Sequence, residues 1–140
     1  MRTVITGFTM STHTHTVREL KRLQLSKRIA KILRTVPYEK GFHFYTASGN
    51  YTGETATSLD DFERKVQTMP DASITFHLQR GDFQKWIEGT LSDDKLAKRI
   101  TLIKLTLPVE DSRKELLTIV QARINQFKGN LPHHTRRTHS

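Results

Sequence analysis

Net positive charge is confined to the two ends of this 140-residue chain, and that partition limits where a folded core can form. Residues 1–36 carry eight Lys/Arg against one Glu, and residues 128–140 carry three basic residues and no acid. The stretch 37–127 sets twelve basic residues against thirteen acidic ones, so the formal net charge of +9 belongs to the flanks. That middle stretch, about 90 residues long, has the balance of an ordinary domain and the length for one modest core. Four parts are expected: a flexible arm over 1–15, a basic amphipathic helix over 16–36, a single globular domain over 37–129, and a disordered basic tail over 130–140.

The helix rests on Leu25, Ile29, Ile32, Leu33 and Val36, which form one apolar stripe at helical spacing. Thr16 with Glu19 has the form of a capping box, and Pro37 disfavours α geometry at Val36. Phe42-His43-Phe44-Tyr45 alternates faces and predicts a strand. Ser48-Gly49-Asn50 supplies a turn, and residues 51–56 return as a second strand. Ser58 then caps a helix through Leu59, Phe62, Val66 and Met69. Residues 72–79 are ambiguous: Ile74, Phe76 and Leu78 alternate as in a strand, whereas Asp71 suits the cap of a short helix.

A short helix restarts at Gly81-Asp82 and carries Phe83, Trp86 and Ile87. Ser92 is placed to cap another, with Leu96, Ala97, Ile100 and Ile103 turned inward. A capping box at Ser112 and Glu115 opens the last helix, whose stripe is Leu116, Leu117, Val120, Ile124 and Phe127 and whose stop is Gly129. Trp86, Phe62, Leu96 and Ile100 are the inward residues of separate capped segments, so they are expected to share the core. The fold class read from these patterns is α+β: a mostly helical small domain with one β-hairpin.

The absence of cysteine excludes disulfides, zinc–thiolate sites, iron–sulfur clusters and Cys nucleophiles. No apolar run approaches the roughly 18–20 residues of a membrane span, and Thr3, Thr6 and Gly7 interrupt what would be a signal peptide's apolar region. The expectation is a cytoplasmic protein.

Several segments together resemble a known family. They are Phe42-His43-Phe44-Tyr45, Gly53-Glu54-Thr55-Ala56, Ser58-Leu59-Asp60-Asp61-Phe62, Ser73-Ile74-Thr75-Phe76-His77, Arg80-Gly81-Asp82-Phe83-Gln84-Lys85-Trp86-Ile87 and Asp94-Lys95-Leu96-Ala97. Over residues 42–100 the chain resembles a mostly archaeal domain of unknown function, domain of unknown function 5752. The resemblance implies helix over 72–79. It also implies a glycine at the position held here by Ser92. Relatives look like stand-alone small proteins or appendages to carbohydrate-active chains such as glycosyltransferases, and the family lends no established activity.

For chemistry, the most suggestive cluster is His77 with Asp82, and Trp86 one helical turn beyond. A neutral His held by a carboxylate is a general-base arrangement. The competing structural reading has His77 capping backbone groups and Asp82 capping the next helix, and it asks only for local residues. Asp60, Asp61 and Glu63 sit at a helix start, where the helix dipole alone accounts for negative charge. His13 and His15, and His133, His134 and His139, lack the spacing of a preformed metal site, so no metal or cofactor is expected.

Lys21, Arg22, Lys27, Arg28, Lys31 and Arg34 are the polyanion-binding candidates, on a helix with no aromatic residue between 16 and 36. The reading is a small soluble domain acting as a non-enzymatic interaction or accessory module that engages a protein partner or a polyanion. Membrane binding is the less favoured use of the helix. Two alternatives compete: a nucleic-acid-binding protein working through helix 17–36, and a small enzyme or carbohydrate-associated domain using His77 and Asp82.

Overall fold

The computed structural model describes residues 3–131, with side chains described from residue 16 onward. Most of the tail read as disordered, residues 132–140, lies outside the described residues. Among the described residues the chain forms six α-helices and one antiparallel hairpin, a small α+β domain.

The first helix, α1 (Thr3–Leu33), is helical upstream of Thr16. Thr16 and Glu19 therefore lie inside α1 and do not start it, and the backbone of residues 3–15, expected as an arm, is helical. The helix ends before Val36, whose N–H donates to the Thr57 carbonyl at 2.8 Å and so ties the exit of α1 to the base of the hairpin. Ile29, Ile32 and Val36 are buried in the core, whereas Leu25 is 43% exposed, along with Val17, Leu20 and Leu23. The stripe docks at its C-terminal end because only there does the domain lie beneath it. Leu25, one turn earlier, is at the rim.

The hairpin pairs β1 (Phe42–Ala47) with β2 (Asn50–Ala56), in the register Phe42↔Ala56, His43↔Thr55, Tyr45↔Tyr51 and Ala47↔Asn50. Alternation sends Phe42 and Phe44 inward and leaves His43 and Tyr45 partly exposed on the other face. Between Thr55 and Tyr51 the strand β2 carries extra residues relative to β1. Gly53, at φ 91°, absorbs that bulge in a backbone conformation that a side chain would strain.

Helix α2 (Leu59–Thr68) is capped as its sequence predicts. The Ser58 hydroxyl accepts the Asp61 N–H at 3.1 Å, and the Asp61 carboxylate accepts the Thr57 N–H at 3.2 Å. Residues 72–79 are helical, within α3 (Asp71–Arg80). Asp71 opens that helix without capping it, since Pro70 holds the cap position. The alternating pattern there is incidental: Ser73, Ile74 and His77 are the buried residues, at the spacing of one helix face.

Helix α4 (Asp82–Gly89) follows after Gly81, which sits at φ 73° and gives its N–H to the carbonyls of His77 and Leu78. That left-handed glycine lets α3 stop and α4 start within one residue. Helix α5 (Asp94–Thr101) is capped by Asp93, which accepts the Leu96 N–H, and not by Ser92. Ser92 instead takes φ 69°, the left-handed conformation for which the family resemblance supplies a glycine. A non-glycine residue there costs about 1–2 kcal/mol.

The final helix, α6 (Glu110–Gly129), begins before Ser112, so the expected capping box does not open it. The Ser112 hydroxyl donates to the Lys104 carbonyl at 2.9 Å and accepts the Thr106 N–H at 2.9 Å, which pins the preceding loop. Leu116, Val120, Ile124 and Phe127 are buried and Leu117 is partly so.

Trp86 is buried with Phe62, Leu96 and Ile100, as the spacing predicts. Its ring meets Phe42 at 5.8 Å and Phe62 at 5.6 Å, and its Nε1–H donates to the Lys40 carbonyl at 2.9 Å. Two buried arginines of α6 join distant segments. Arg123 clasps Asp93 through Nε and Nη2, both at 2.9 Å, while its guanidinium lies 4.2 Å over the Phe127 ring. Arg113 donates to the Val66 carbonyl at 2.7 Å, to Glu110 at 3.1 Å and to Asp71.

Candidate functional site

The junction of α3 and α4 against β1 brings His77 and Asp82 together. His77 Nε2 accepts the Tyr45 N–H at 2.8 Å, which fixes the ring proton on Nδ1, and Nδ1–H donates to Asp82 Oδ2 at 2.8 Å. Both ring nitrogens are thereby engaged within the protein. Burial pushes the His77 pKa down and outweighs the opposing pull of Asp82, so the neutral ring is the folded form. Asp82 does not cap α4; its Oδ2 also accepts from Arg80 Nε at 2.9 Å. Burial pushes the Asp82 carboxyl up, but the hydrogen bonds from His77 and Arg80 hold it below the usual carboxylate range.

This arrangement suits a structural link between strand and helices. A base at His77 would have to release the Tyr45 amide before it could take a proton at Nε2. Trp86 lies in the core, apart from this chemistry.

Linkage gives the pH behaviour. The folded His77 pKa lies below the usual 6.5, so at intermediate pH the unfolded chain binds a proton that the folded chain does not. Stability should therefore fall as pH drops below about 6.5, until the folded ring titrates. Urea midpoints between about pH 7 and pH 5 should show this fall, and His77→Gln should remove part of it. Identical pH profiles for both proteins would exclude the neutral, doubly bonded ring.

Beside the junction is a cleft of about 410 Å³, lined by Tyr45, Gly49, Phe76, His77, Arg80 and Asp82 among others. Arg80 lies 4.8 Å above the Phe76 ring at the rim, its side chain more than half exposed. The outer face of the hairpin carries a run of rings: Tyr38 to His43 at 5.1 Å, His43 to Tyr51 at 6.0 Å and Tyr51 to Tyr45 at 5.5 Å. The Tyr38 and Tyr51 hydroxyls share a hydrogen bond at 2.8 Å, Tyr51 bonds Thr55, and His43 Nδ1 meets the same Thr55 hydroxyl at 2.6 Å. The hydrogen bonds to Tyr51 and Thr55 hold the Tyr38 hydroxyl below its usual pKa. Sequence reading missed this cluster. The alternation that turns Phe42 and Phe44 inward was the available signal, because it turns His43 and Tyr45 outward.

On α1, Lys21, Arg22, Lys27, Arg28 and Lys31 are exposed, as is Arg18, and among the described residues none of them makes an ion pair. Arg34 differs: it follows the helix, is half-buried and donates to the Thr90 carbonyl at 3.0 Å. Lys27 and Lys31 share a face one turn apart, away from the buried Ile29 and Ile32. The acidic run at α2 is structural in its contacts, with Asp61 bonded to Thr57, Arg64 and Lys65. Among the residues with described side chains no group of His, Asp or Glu is placed to hold a metal. His13, His15, His133, His134 and His139 fall outside that set. No described helix is long and apolar enough to cross a membrane.

Residues 39–139 match the family described as "Family of unknown function (DUF5752)". The match extends past the stretch 42–100 to include α6, and α1 precedes it. No curated protein and no solved structure matches the chain.

Proposed function

The chain belongs to this family of unknown function, DUF5752, and from that premise we propose that it is a non-enzymatic interaction module that engages polyanions through α1. The observation that carries the reading is the set of six cations on α1, Arg18, Lys21, Arg22, Lys27, Arg28 and Lys31, that are exposed and without an ion pair among the described residues, on a helix whose Val17, Leu20, Leu23 and Leu25 are exposed. The commitment of both His77 nitrogens to internal hydrogen bonds supports a role other than acid–base catalysis. A protein with an acidic groove is the second reading, favoured by the exposed Val17, Leu20 and Leu23 on the same helix.

The test is an anisotropy titration of the full chain against an abasic oligodeoxynucleotide and a heparin fragment at several salt concentrations. Not all six cations can face one backbone, so three or four contacts are expected. They give a log–log salt slope of about −2 to −3 on a single strand. Lys27→Glu with Lys31→Glu should weaken binding about tenfold or more at low salt. Absence of binding to either probe at low salt, or affinity indifferent to that double reversal, would overturn the polyanion reading and leave the protein partner. Deleting α1 outright is a poor control, since Ile29 and Ile32 belong to the core.

A further inference from the structure

The three tyrosines of the chain lie between positions 38 and 51, and folding gathers all of them, with His43, on one face of the hairpin. The core draws instead on phenylalanine: Phe42, Phe44, Phe62, Phe83 and Phe127 are buried, while Tyr38 is 58% and Tyr51 is 38% exposed. We propose that this run of rings is a base-stacking platform for single-stranded nucleic acid, resting on the reading of α1 as a polyanion-binding helix.

Successive rings are inclined at 56°, 83° and 47°, so they do not cover one another as a stacked pair would, and Tyr38 and Tyr51 keep area open to solvent. Their hydroxyls are tied together and to Thr55, which holds the rings before any ligand arrives. Little side-chain freedom is then lost on stacking, the condition under which aromatic surfaces bind well. Every base presents a π-face, so such a platform takes unpaired bases with little regard to sequence, whereas bases in a duplex are already stacked on each other.

The placement of charge favours a nucleic-acid strand as occupant. Tyr38 follows α1 within five residues of its last helical position, Leu33, so the basic helix leads into one end of the run. At the other end Tyr45 borders the cleft where Arg80 is exposed. A strand laid along the rings runs from the basic helix at one end to Arg80 at the other, which is paired with Asp82 through Nε at 2.9 Å and keeps more than half of its side chain exposed. Glu39, beside Tyr38, and Glu54, which faces Lys65 at 3.7 Å, are exposed carboxylates at the margins. They disfavour phosphates passing over β2 and direct the backbone toward α1. The helix by itself has no aromatic residue between 16 and 36, and the rings that follow it in the chain would supply the stacking surface.

The experiment compares, for the full chain, a short labelled oligothymidylate, an abasic oligomer of equal length and a hairpin duplex. Oligothymidylate should bind about tenfold or more tightly than the abasic oligomer, as one or two stacked bases imply, and more tightly than the duplex. Tyr38→Ala with Tyr51→Ala should erase that advantage while leaving abasic binding in place. Tyr38→Phe with Tyr51→Phe keeps the π-faces but loses the hydroxyl tether, so it should retain part of that advantage, and circular dichroism should show both variants folded. Equal affinity for oligothymidylate and abasic oligomer overturns the platform but leaves α1 a polyanion site. Failure of both oligomers to bind overturns the reading beneath it as well. Binding of a neutral oligosaccharide that the alanine variant abolishes, without any thymine preference, would reassign the rings to sugar and overturn the proposal.

Discussion

Replacing Arg123 with methionine should destabilise the protein by about 3–5 kcal/mol, because it leaves the Asp93 carboxylate buried without its counter-charge. Asp93 is 1% exposed and receives both the Arg123 fork and the Leu96 amide. The amide hydrogen bond persists in the variant, but it does not neutralise a buried charge. Adding Asp93→Asn should recover most of the loss, since asparagine caps a helix about as well as aspartate and brings no charge to bury. Denaturant unfolding reads both effects as shifts in midpoint at constant slope. A cost below about 1 kcal/mol for Arg123→Met, or no recovery in the double variant, would mean that the pair is not the link between α5 and α6.

Trp86→Ala should cost about 3–5 kcal/mol, a large part of what a domain of this size has. The ring packs against Phe42 and Phe62, and the indole N–H satisfies the Lys40 carbonyl just before β1. Trp86→Phe keeps most of the apolar volume and removes the donor, so it should cost markedly less. The contrast between the two variants separates packing from the hydrogen bond. Thermal unfolding unchanged in Trp86→Ala would take this ring out of the core.

Local, periodic features were legible in the chain. The stripes through Phe62 and Val66, through Leu96 and Ile100, and through Leu116 to Phe127 are each set by one helix's own geometry. The hairpin likewise follows from alternation around Ser48-Gly49. Capping was read less well, for a common reason. Thr16, Ser92 and Ser112 each have side chains able to cap, but a cap forms only where the preceding chain leaves the helix. At Ser112 the helix has already begun, and its hydroxyl is taken by the Lys104–Thr106 loop instead. At Ser92 the backbone is left-handed, and the next residue, Asp93, does the capping.

The candidate sites divide along the same line. His77 and Asp82 stand five residues apart across a Gly81 turn, so their pairing could be read from the chain. The strand amide of Tyr45, which engages the second nitrogen of His77 and alters its chemistry, comes from 32 residues away. The concentration of cations in residues 1–36 was also plain, but the loss of Arg34 to the Thr90 carbonyl was not.

By itself the sequence determined the charge partition, the helical and strand periods and a family resemblance later matched over residues 39–139, since each is carried by residue identity and short spacing. Tertiary structure alone decided that α1 docks by Ile29 and Ile32, that Asp93 meets Arg123, and that Tyr38, His43, Tyr45 and Tyr51 share a face. Those outcomes depend on which surfaces meet when separate elements bury their apolar faces together, and no local pattern encodes that meeting.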